Sequence, residues 1–325
     1  MSEILSLASA NLISPIILSF ALGLVAAMAR SDLSIPEAVA KGMSIYLLFA
    51  IGFKGGAAVA SHGIDATLLL AIGAGIILSF GLPFIAYALL RVLTRFSALD
   101  AAAVAAHYGS ISIVTFVAAT SVLEGRGIDS EGYMVAVAAA MEAPAILSAL
   151  WLVARSGSGG KMEPGLMREI MLNGSIVLLV GSFAIGIMTG EKGLAEIAPF
   201  IVSPFKGVLC LFLLDMGLVA GRGLRQSRGV LGLGAVAFGI MMPLAGSLLG
   251  LGFGMAIGLS MGGVVLMMVL AASASYIAVP AAMRVALPEA DPAIYLTLSL
   301  GVTFPFNLTL GIPLYVALAT MMVGG

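Results

Sequence analysis

Two short segments of the chain combine small residues with serine hydroxyls inside long apolar runs. One contains Gly109, Ser110 and Ser112, and the other contains Ser273 and Ser275. A glycine in the first segment and a proline in the second can interrupt a helix, which would expose unpaired N–H groups and a partial positive charge. Because serine hydroxyls add donors of adjustable direction, this pattern predicts a site for a small oxyanion.

The same serines have a second interpretation, which is packing. Small residues let membrane helices approach closely, and a serine can bond to its own helix. Packing is the better interpretation of any single serine, but the two segments occupy equivalent positions of a repeat, which favours binding. The predicted substrate-binding residues are Gly109, Ser110, Ser112, Ser273, Ser275 and Tyr276.

One carboxylate lies deep in an apolar run. Glu142 stands two residues before Pro144, and a proline frees a backbone carbonyl in the preceding turn. Charges inside a membrane are rare and are candidates for function, although a protonated or paired structural carboxylate is the alternative. Carboxylate, hydroxyl and carbonyl oxygens are the ligands a sodium ion would use. The predicted sodium-binding residues are Glu142, Thr115, Thr303 and Asn307.

Two further charges, Lys54 and Asp215, also interrupt apolar runs. They either pair with each other, or Lys54 extends its amine to the membrane surface. His107 is predicted to be a hydrogen-bonded core residue, because one other histidine is too few for a metal site built on histidines. The chain lacks HExxH, GxSxG and P-loop patterns, which argues against an intramembrane hydrolase and against ATP-driven transport.

The composition places the chain in a membrane. Of 325 residues, 61% are hydrophobic and 10% are charged, and the mean hydropathy is +1.17. A soluble domain has roughly a quarter of its residues charged. The net charge of -1 argues against nucleic acid as a partner. No cofactor is predicted beyond sodium as the coupling ion, and Cys210, the single cysteine, cannot form an internal disulfide.

Charges, glycines and prolines divide the chain into ten apolar spans, each near the 20 residues that cross a bilayer. They are 12–28, 36–60, 67–93, 99–123, 131–154, 172–189, 199–221, 229–254, 258–286 and 292–323. The N-terminus has no basic region before the first span, so that span is predicted to be a retained helix. A polar, glycine-rich linker at 155–170 separates an N-terminal half, 1–154, from a C-terminal half, 171–325.

The two halves share short sequence matches. Residues 19–23 recur at 182–186, and residues 109–113 match 272–276, both at an offset of 163; residues 51–53 match 216–218 at 165. Five helices in each copy force the second copy to be inverted, a common plan of secondary transporters. We therefore predict an all-α membrane protein of two inverted five-helix repeats, with the fourth and ninth helices broken.

Basic residues set the orientation, because short cytoplasmic loops are enriched in Lys and Arg. With both termini outside, the outer loops contain Arg126 and Lys192, and the cytoplasmic side contains many more. These are Arg30, Arg91, Arg95, Arg155, Lys161, Arg168, Arg222, Arg225, Arg228 and Arg284. Both termini are predicted to lie on the outer side of the membrane.

Four segments carry a resemblance to a known family. Residues 273–282, 287–290, 299–308 and 205–217 resemble the sodium-dependent bicarbonate permease family. The resemblance implies ten helices in a 5+5 inverted repeat and uptake of bicarbonate with sodium through a bacterial inner membrane. It also implies a homotrimer in membrane lipid, a core domain that moves against a gate domain, ligand held between the broken helices, and a PII-like regulatory partner.

The chain departs from the cyanobacterial carriers of that family in three places. It has Ser110-Ile111-Ser112-Ile113 where they have a Ser-Gly-Ser-Thr type of sequence, Glu142 where they have Asp, and a shorter central linker. The leading hypothesis is a sodium-coupled bicarbonate symporter working by alternating access. The alternatives are a sodium-coupled carrier of a small organic anion and an anion channel, which would need no cation site.

Overall fold

The computed structural model describes residues 13–63, 65–142, 144–155, 168, 172, 174–226, 231–276, 279–280, 283 and 287–323. This part of the chain is helical and contains no strand, as predicted. Its helices are α1 (Pro15–Met28), α2 (Glu37–His62), α3 (Ala66–Leu93), α4 (Ala98–Gly109), α5 (Ile113–Gly125), α6 (Met134–Ala140), α7 (Pro144–Arg155), α8 (Gly174–Ile201), α9 (Phe205–Gln226), α10 (Leu233–Ile257), α11 (Met261–Ala272) and α12 (Pro292–Val323).

Among the described residues, eight helical segments are long and apolar enough to cross a membrane, counting α4 with α5 and α6 with α7 as one segment each. Two shorter apolar helices, α1 and α11, complete the set. The sixth predicted span, 172–189, is too short: α8 continues to Ile201 beyond a non-helical residue, Gly190. The charged segment after Gly190 is therefore helical instead of a loop. The predicted linker lies almost wholly outside the described residues.

The helices pack in two groups. Helices α1, α2, α8 and α9 form one group, here called the panel, in which α1 lies along α9 and α2 lies along α8. Both crossings depend on glycines, Gly23 with Gly217 and Gly56 with Gly186, where a Cβ atom would overlap the backbone of the facing helix. The remaining helices, α3–α7 and α10–α12, form the second group, here called the core.

Two helices of the core begin with the same cap. Ser97 caps α4 and Ser260 caps α11, each with its side-chain oxygen accepting from the amide three residues later. The backbone angles also agree, at φ -58°, ψ 159° for Ser97 and φ -58°, ψ 163° for Ser260. A carboxylate links each start to another helix connection: Asp100, in the first turn of α4, accepts from the Asp291 amide, and Glu131, which precedes α6, accepts from the Ser260 amide. Similar hydrogen bonds thus fix the starts of α4 and α11.

Candidate functional site

The fourth predicted span is broken where the sequence predicts. Helix α4 ends at Gly109, Ser110 is extended at φ -86° and ψ 163°, and α5 starts at Ile113 after the capping residue Ser112. Gly109 is required for a packing reason as well, since a Cβ there would overlap the ring of Pro83 in α3. The break therefore combines an extended Ser110 with a glycine packed against a proline-containing helix.

The second serine segment is also extended and lies directly against the first. Helix α11 ends at Ala272, and Ser273 has φ -88° and ψ 165°, almost the conformation of Ser110. The Ser112 amide donates to the Ser273 hydroxyl at 2.9 Å. The Ser275 amide donates to the backbone oxygen of His107 at 2.7 Å. The structure thus brings the two predicted serine segments together at a buried crossing.

The four serines differ in how their hydroxyl hydrogens are used. Ser110 donates to Glu142 at 2.9 Å, and Ser273 donates to the backbone oxygen of Leu270 at 3.0 Å. Ser112 and Ser275, in contrast, act only as acceptors in the hydrogen bonds formed between described residues. Because all four are buried, the hydroxyls of Ser112 and Ser275 are the two available to donate to a ligand.

Tyr276 adds a third available donor. Its hydroxyl is buried and has no hydrogen-bond partner among the described residues, and it lies beside the Ser112 side chain. An unpaired buried hydroxyl is costly, so such a group is a candidate to bind a polar ligand. The start of α5 contributes further donors, because the Ile113 and Val114 amides have no partner within a helix at its first turn. These three hydroxyls and the N-terminus of α5 are the groups near the crossing that could donate hydrogen bonds to a small anion.

Glu142 lies next to this crossing. Its carboxylate accepts the Ser110 hydroxyl at 2.9 Å, and the residue is 6% exposed. The chain leaves helical geometry between α6 and α7, and the backbone oxygen freed at Met141 accepts from the Ser79 hydroxyl at 2.6 Å. The predicted cation-site carboxylate and a predicted anion-site serine are therefore in direct contact.

The other predicted sodium ligands lie at separate points of the core. Thr115 donates to Ser112 at 2.9 Å, which places it at the crossing. Thr303 donates to the backbone oxygen of Gly239 at 2.7 Å and accepts from Tyr108 at 2.6 Å. No hydrogen bond between described residues joins Thr303 or Asn307 to Glu142. Thr303 is the last residue of one wide, π-helical turn of α12 and Asn307 is the first residue of the next, a feature that is frequent at functional sites.

Asn307 closes the other helix break. Its amide nitrogen donates to the backbone oxygen of Ala272, the last residue of α11, at 2.8 Å, and its amide oxygen accepts from the Tyr315 hydroxyl at 2.8 Å. Asn307 is fully buried. In this geometry Asn307 supports the end of α11 through its amide nitrogen.

We expect Asn307→Ala to lower the stability of the protein. The change removes the amide donor to the buried Ala272 carbonyl and the acceptor of the Tyr315 hydroxyl, which should cost about 1–3 kcal/mol of unfolding free energy. The thermal unfolding midpoint in detergent measures this. Thr309→Ala is the matched control, since the Thr309 hydroxyl donates within its own helix, to the backbone oxygen of Pro305. Equal midpoints for the two variants would contradict the supporting role.

The proposed pairing of Lys54 with Asp215 is wrong. Lys54 forms an ion pair with Glu124 of α5 at 3.1 Å, across a cavity between α2 and the core. Asp215 is buried in α9, with Arg222 as a nearby charge. The sequence did not identify Glu124, because it lies at the loop end of its helix beside other acidic residues.

His107 has the core position predicted for it, with one unexpected feature. Its Nδ1 atom bonds to the Ala103 carbonyl at 2.7 Å, and its ring stacks on Tyr295 with centroids 4.4 Å apart. The Nε2 atom is buried without a partner among the described residues. Those residues contain no group of three or more His, Cys, Asp or Glu side chains that could hold a metal ion.

Sequence reasoning missed two residues that shape the site, Ser79 and Tyr315. Ser79 binds the carbonyl freed at Met141, and Tyr315 orients Asn307. Each is a polar side chain flanked by apolar residues, and that pattern does not identify its partner.

Comparison with known proteins gives one family. The family model described as the Na⁺-dependent bicarbonate transporter superfamily matches residues 15–320, nearly the whole chain. A search of curated proteins finds no significant match.

Proposed function

Because the chain belongs to the Na⁺-dependent bicarbonate transporter superfamily, we propose that it is a symporter that imports bicarbonate with sodium across the bacterial inner membrane. Family membership makes it a multi-pass membrane transport protein and not an enzyme. The proposal assigns bicarbonate to the crossing of the broken helices. Its oxygens would accept from Ser112, Ser275, Tyr276 and the first amides of α5, and sodium would bind beside Glu142.

The observation that carries the proposal is the hydrogen bond between Ser110 and Glu142. It connects the carboxylate to the extended segment that also contains Ser112. A sodium ion on Glu142 would neutralise its charge, which otherwise repels an anion bound at the neighbouring serines. Each ligand therefore favours binding of the other, which is the reciprocal coupling that symport requires.

The arrangement of helices supports alternating access. A cavity of about 380 Å³ lies between the panel and the core, lined by α2 residues on one side and α5 residues on the other. Its wall includes Phe116, whose amide bonds to the Ser112 carbonyl one turn away. We propose that this cavity is the outer access route in an outward-facing state, and that the core slides along the panel as an elevator to reach the inward-facing state.

The internal geometry supports the ten-helix inverted repeat. Ser97 and Ser260, and likewise Ser110 and Ser273, are separated by 163 residues and have nearly equal backbone angles. Helix α1 packs on α9 as α8 packs on α2, which is the exchange expected of two intertwined copies. The proposal therefore retains 1–154 and 171–325 as the two repeats, with 155–170 between them.

Ligand-induced stabilisation tests the coupled binding. A ligand that binds the folded state raises its stability in proportion to the logarithm of its concentration above Kd. We expect bicarbonate to raise the unfolding midpoint of the detergent-purified protein in sodium chloride and to have little effect in choline chloride. An equal rise in both salts would support the anion channel instead. Acetate gives the same comparison for the organic-anion alternative.

The proposed topology predicts which loops an impermeant reagent reaches. With Cys210→Ser as background, a cysteine replacing Gly127 should be labelled from outside intact cells. A cysteine replacing Ser158, in the linker outside the described residues, should require permeabilised cells. Labelling of position 158 from outside would reverse the orientation and would place both termini in the cytoplasm.

Assembly and regulation are proposed from the family resemblance alone. We propose a homotrimer, with lipid covering the exposed apolar side chains of the membrane helices, and contact of the cytoplasmic linker with a PII-like protein. The mass of the protein in nanodiscs measures the first of these. Co-purification with and without the linker measures the second.

A further inference from the structure

The Lys54–Glu124 ion pair joins the two helix groups. Lys54 belongs to α2 of the panel and Glu124 to α5 of the core, with the amine and the carboxylate 3.1 Å apart. It is the one salt bridge in the part of the chain that the structure describes. The amine also lies 5.4 Å from the centre of the Phe205 ring, at the start of α9. The pair therefore bridges the surface along which the groups would slide.

The two helix crossings of the panel define a common register. At one crossing a Cβ on Gly23 would meet the Leu214 carbonyl, and at the other a Cβ on Gly186 would meet the Phe53 carbonyl. Gly23 and Gly186 are 163 residues apart in the sequence, and Phe53 and Leu214 are 161 residues apart. The contacts of Gly217 with Phe20 and of Gly56 with Phe183 give the same two offsets. The packing therefore relates α2 to α9 at an offset of 161 residues, instead of the offset of 165 that sequence matching gave.

This register makes Lys54 the counterpart of Asp215. Lys54 lines the open cavity with 30% of its side chain exposed, whereas Asp215 is 4% exposed. The counterpart of Glu124, at the offset of 163 that relates α4 to α11, is Leu287, which is also buried. The two counterpart positions of the second repeat, Asp215 and Leu287, therefore cannot form an ion pair with each other.

We propose that the Lys54–Glu124 pair is a latch that stabilises the state in which the outer cavity is open and that breaks each time the core moves. The proposal rests on the alternating access proposed above. When the core slides along the panel, Glu124 travels with α5 while Lys54 stays with α2, so their 3.1 Å contact cannot persist. Since the counterpart positions in the other repeat are Asp215 and Leu287, these two residues cannot replace the lost ion pair. The latch thus biases the carrier toward the open outer cavity.

Reversing the charges tests the latch. Lys54→Glu and Glu124→Lys each place like charges together, and the double variant restores an opposite pair in swapped order. The readout is the rate at which uncharged N-ethylmaleimide modifies a reporter cysteine in the purified, Cys210→Ser protein. One reporter replaces Thr120 in the cavity wall, and the other replaces its counterpart Met283, which is fully buried in this state.

Each single reversal should slow modification at position 120 and speed it at position 283, by about two- to fivefold, the size expected for a partly exposed ion pair. The double variant should return both rates to those of the parent. Glu196→Lys, an exposed change of the same charge in α8, is the control and should alter neither rate. Opposite movement of the two reporters separates a shift between states from a local effect on one thiol.

Two results would overturn the latch, and they are distinguishable. If sodium with bicarbonate alters the two rates in the parent protein but the charge reversals do not, the latch is wrong and the carrier proposal stands. If neither sodium with bicarbonate nor the reversals change either rate, the alternating-access proposal fails and the latch fails with it. Reversals that move both rates without restoration in the double variant would also refute a direct pair.

Discussion

Replacing Ser112 and Ser275 together with alanine is expected to abolish saturable bicarbonate uptake while leaving the protein folded. These are the two serines of the crossing whose hydroxyl hydrogens are not used by described residues. A hydrogen bond to a charged ligand contributes about 1.5–3 kcal/mol, so each single change should raise KM about ten- to a hundredfold. If both hydroxyls contact one anion, the two losses combine.

The control for this double variant is a buried serine of the panel. Ser182 donates to the Leu179 carbonyl in its own helix, and Ser182→Ala should leave KM unchanged. Ser273→Ala is informative in another way, since it removes the acceptor of the Ser112 amide and should lower stability as well as uptake. Parent-like kinetics in the Ser112→Ala, Ser275→Ala double variant would return these residues to a packing role.

The second large effect is expected at Glu142. Glu142→Gln keeps the size of the side chain and an oxygen that can accept from Ser110, but it removes the charge. If the carboxylate binds sodium, loss of a charged ligand worth about 1.5–3 kcal/mol should raise the half-saturating sodium concentration about ten- to a hundredfold. The sodium dependence of uptake at saturating bicarbonate measures this.

Glu142→Asp provides the matched comparison. It retains the charge, and the cyanobacterial carriers that the chain resembles have Asp at this position. We expect this variant to keep sodium-dependent uptake with a smaller change in sodium affinity than the glutamine variant. An unchanged sodium dependence in Glu142→Gln would exclude the carboxylate as a sodium ligand and would leave it a structural acceptor for Ser110.

The helix pattern and the position of the main break could be predicted from the sequence. Apolar runs define the spans, and the glycine–serine segment at 109–112 predicts the interruption that the structure contains between α4 and α5. The end of the sixth span could not be predicted, because Gly190 permits a non-helical turn after which a more polar segment becomes helical again. Charged residues between apolar spans predict a loop in a membrane protein, but they can also lie in a helix, as they do after Gly190.

The pairing of side chains between helices required the structure. Serine spacing identified the crossing, yet it could not distinguish Ser110, which donates to Glu142, from Ser112, whose hydrogen stays available. The partner of Lys54 could not be found for the same reason, since Glu124 is 70 residues away in sequence. The sequence pattern of a helix indicates which of its faces is polar. Which side chain on another helix a polar residue contacts depends on how the two helices cross.

Uptake of radiolabelled bicarbonate into proteoliposomes containing the purified protein tests sodium-coupled transport most directly. With sodium outside and choline inside, sodium-coupled symport predicts accumulation of bicarbonate above its external concentration, followed by release when a sodium ionophore dissipates the gradient. Counting sodium uptake in parallel should show entry that depends on bicarbonate. Equilibration to the external concentration at the same rate with and without the sodium gradient would contradict the account and would identify a passive anion pathway.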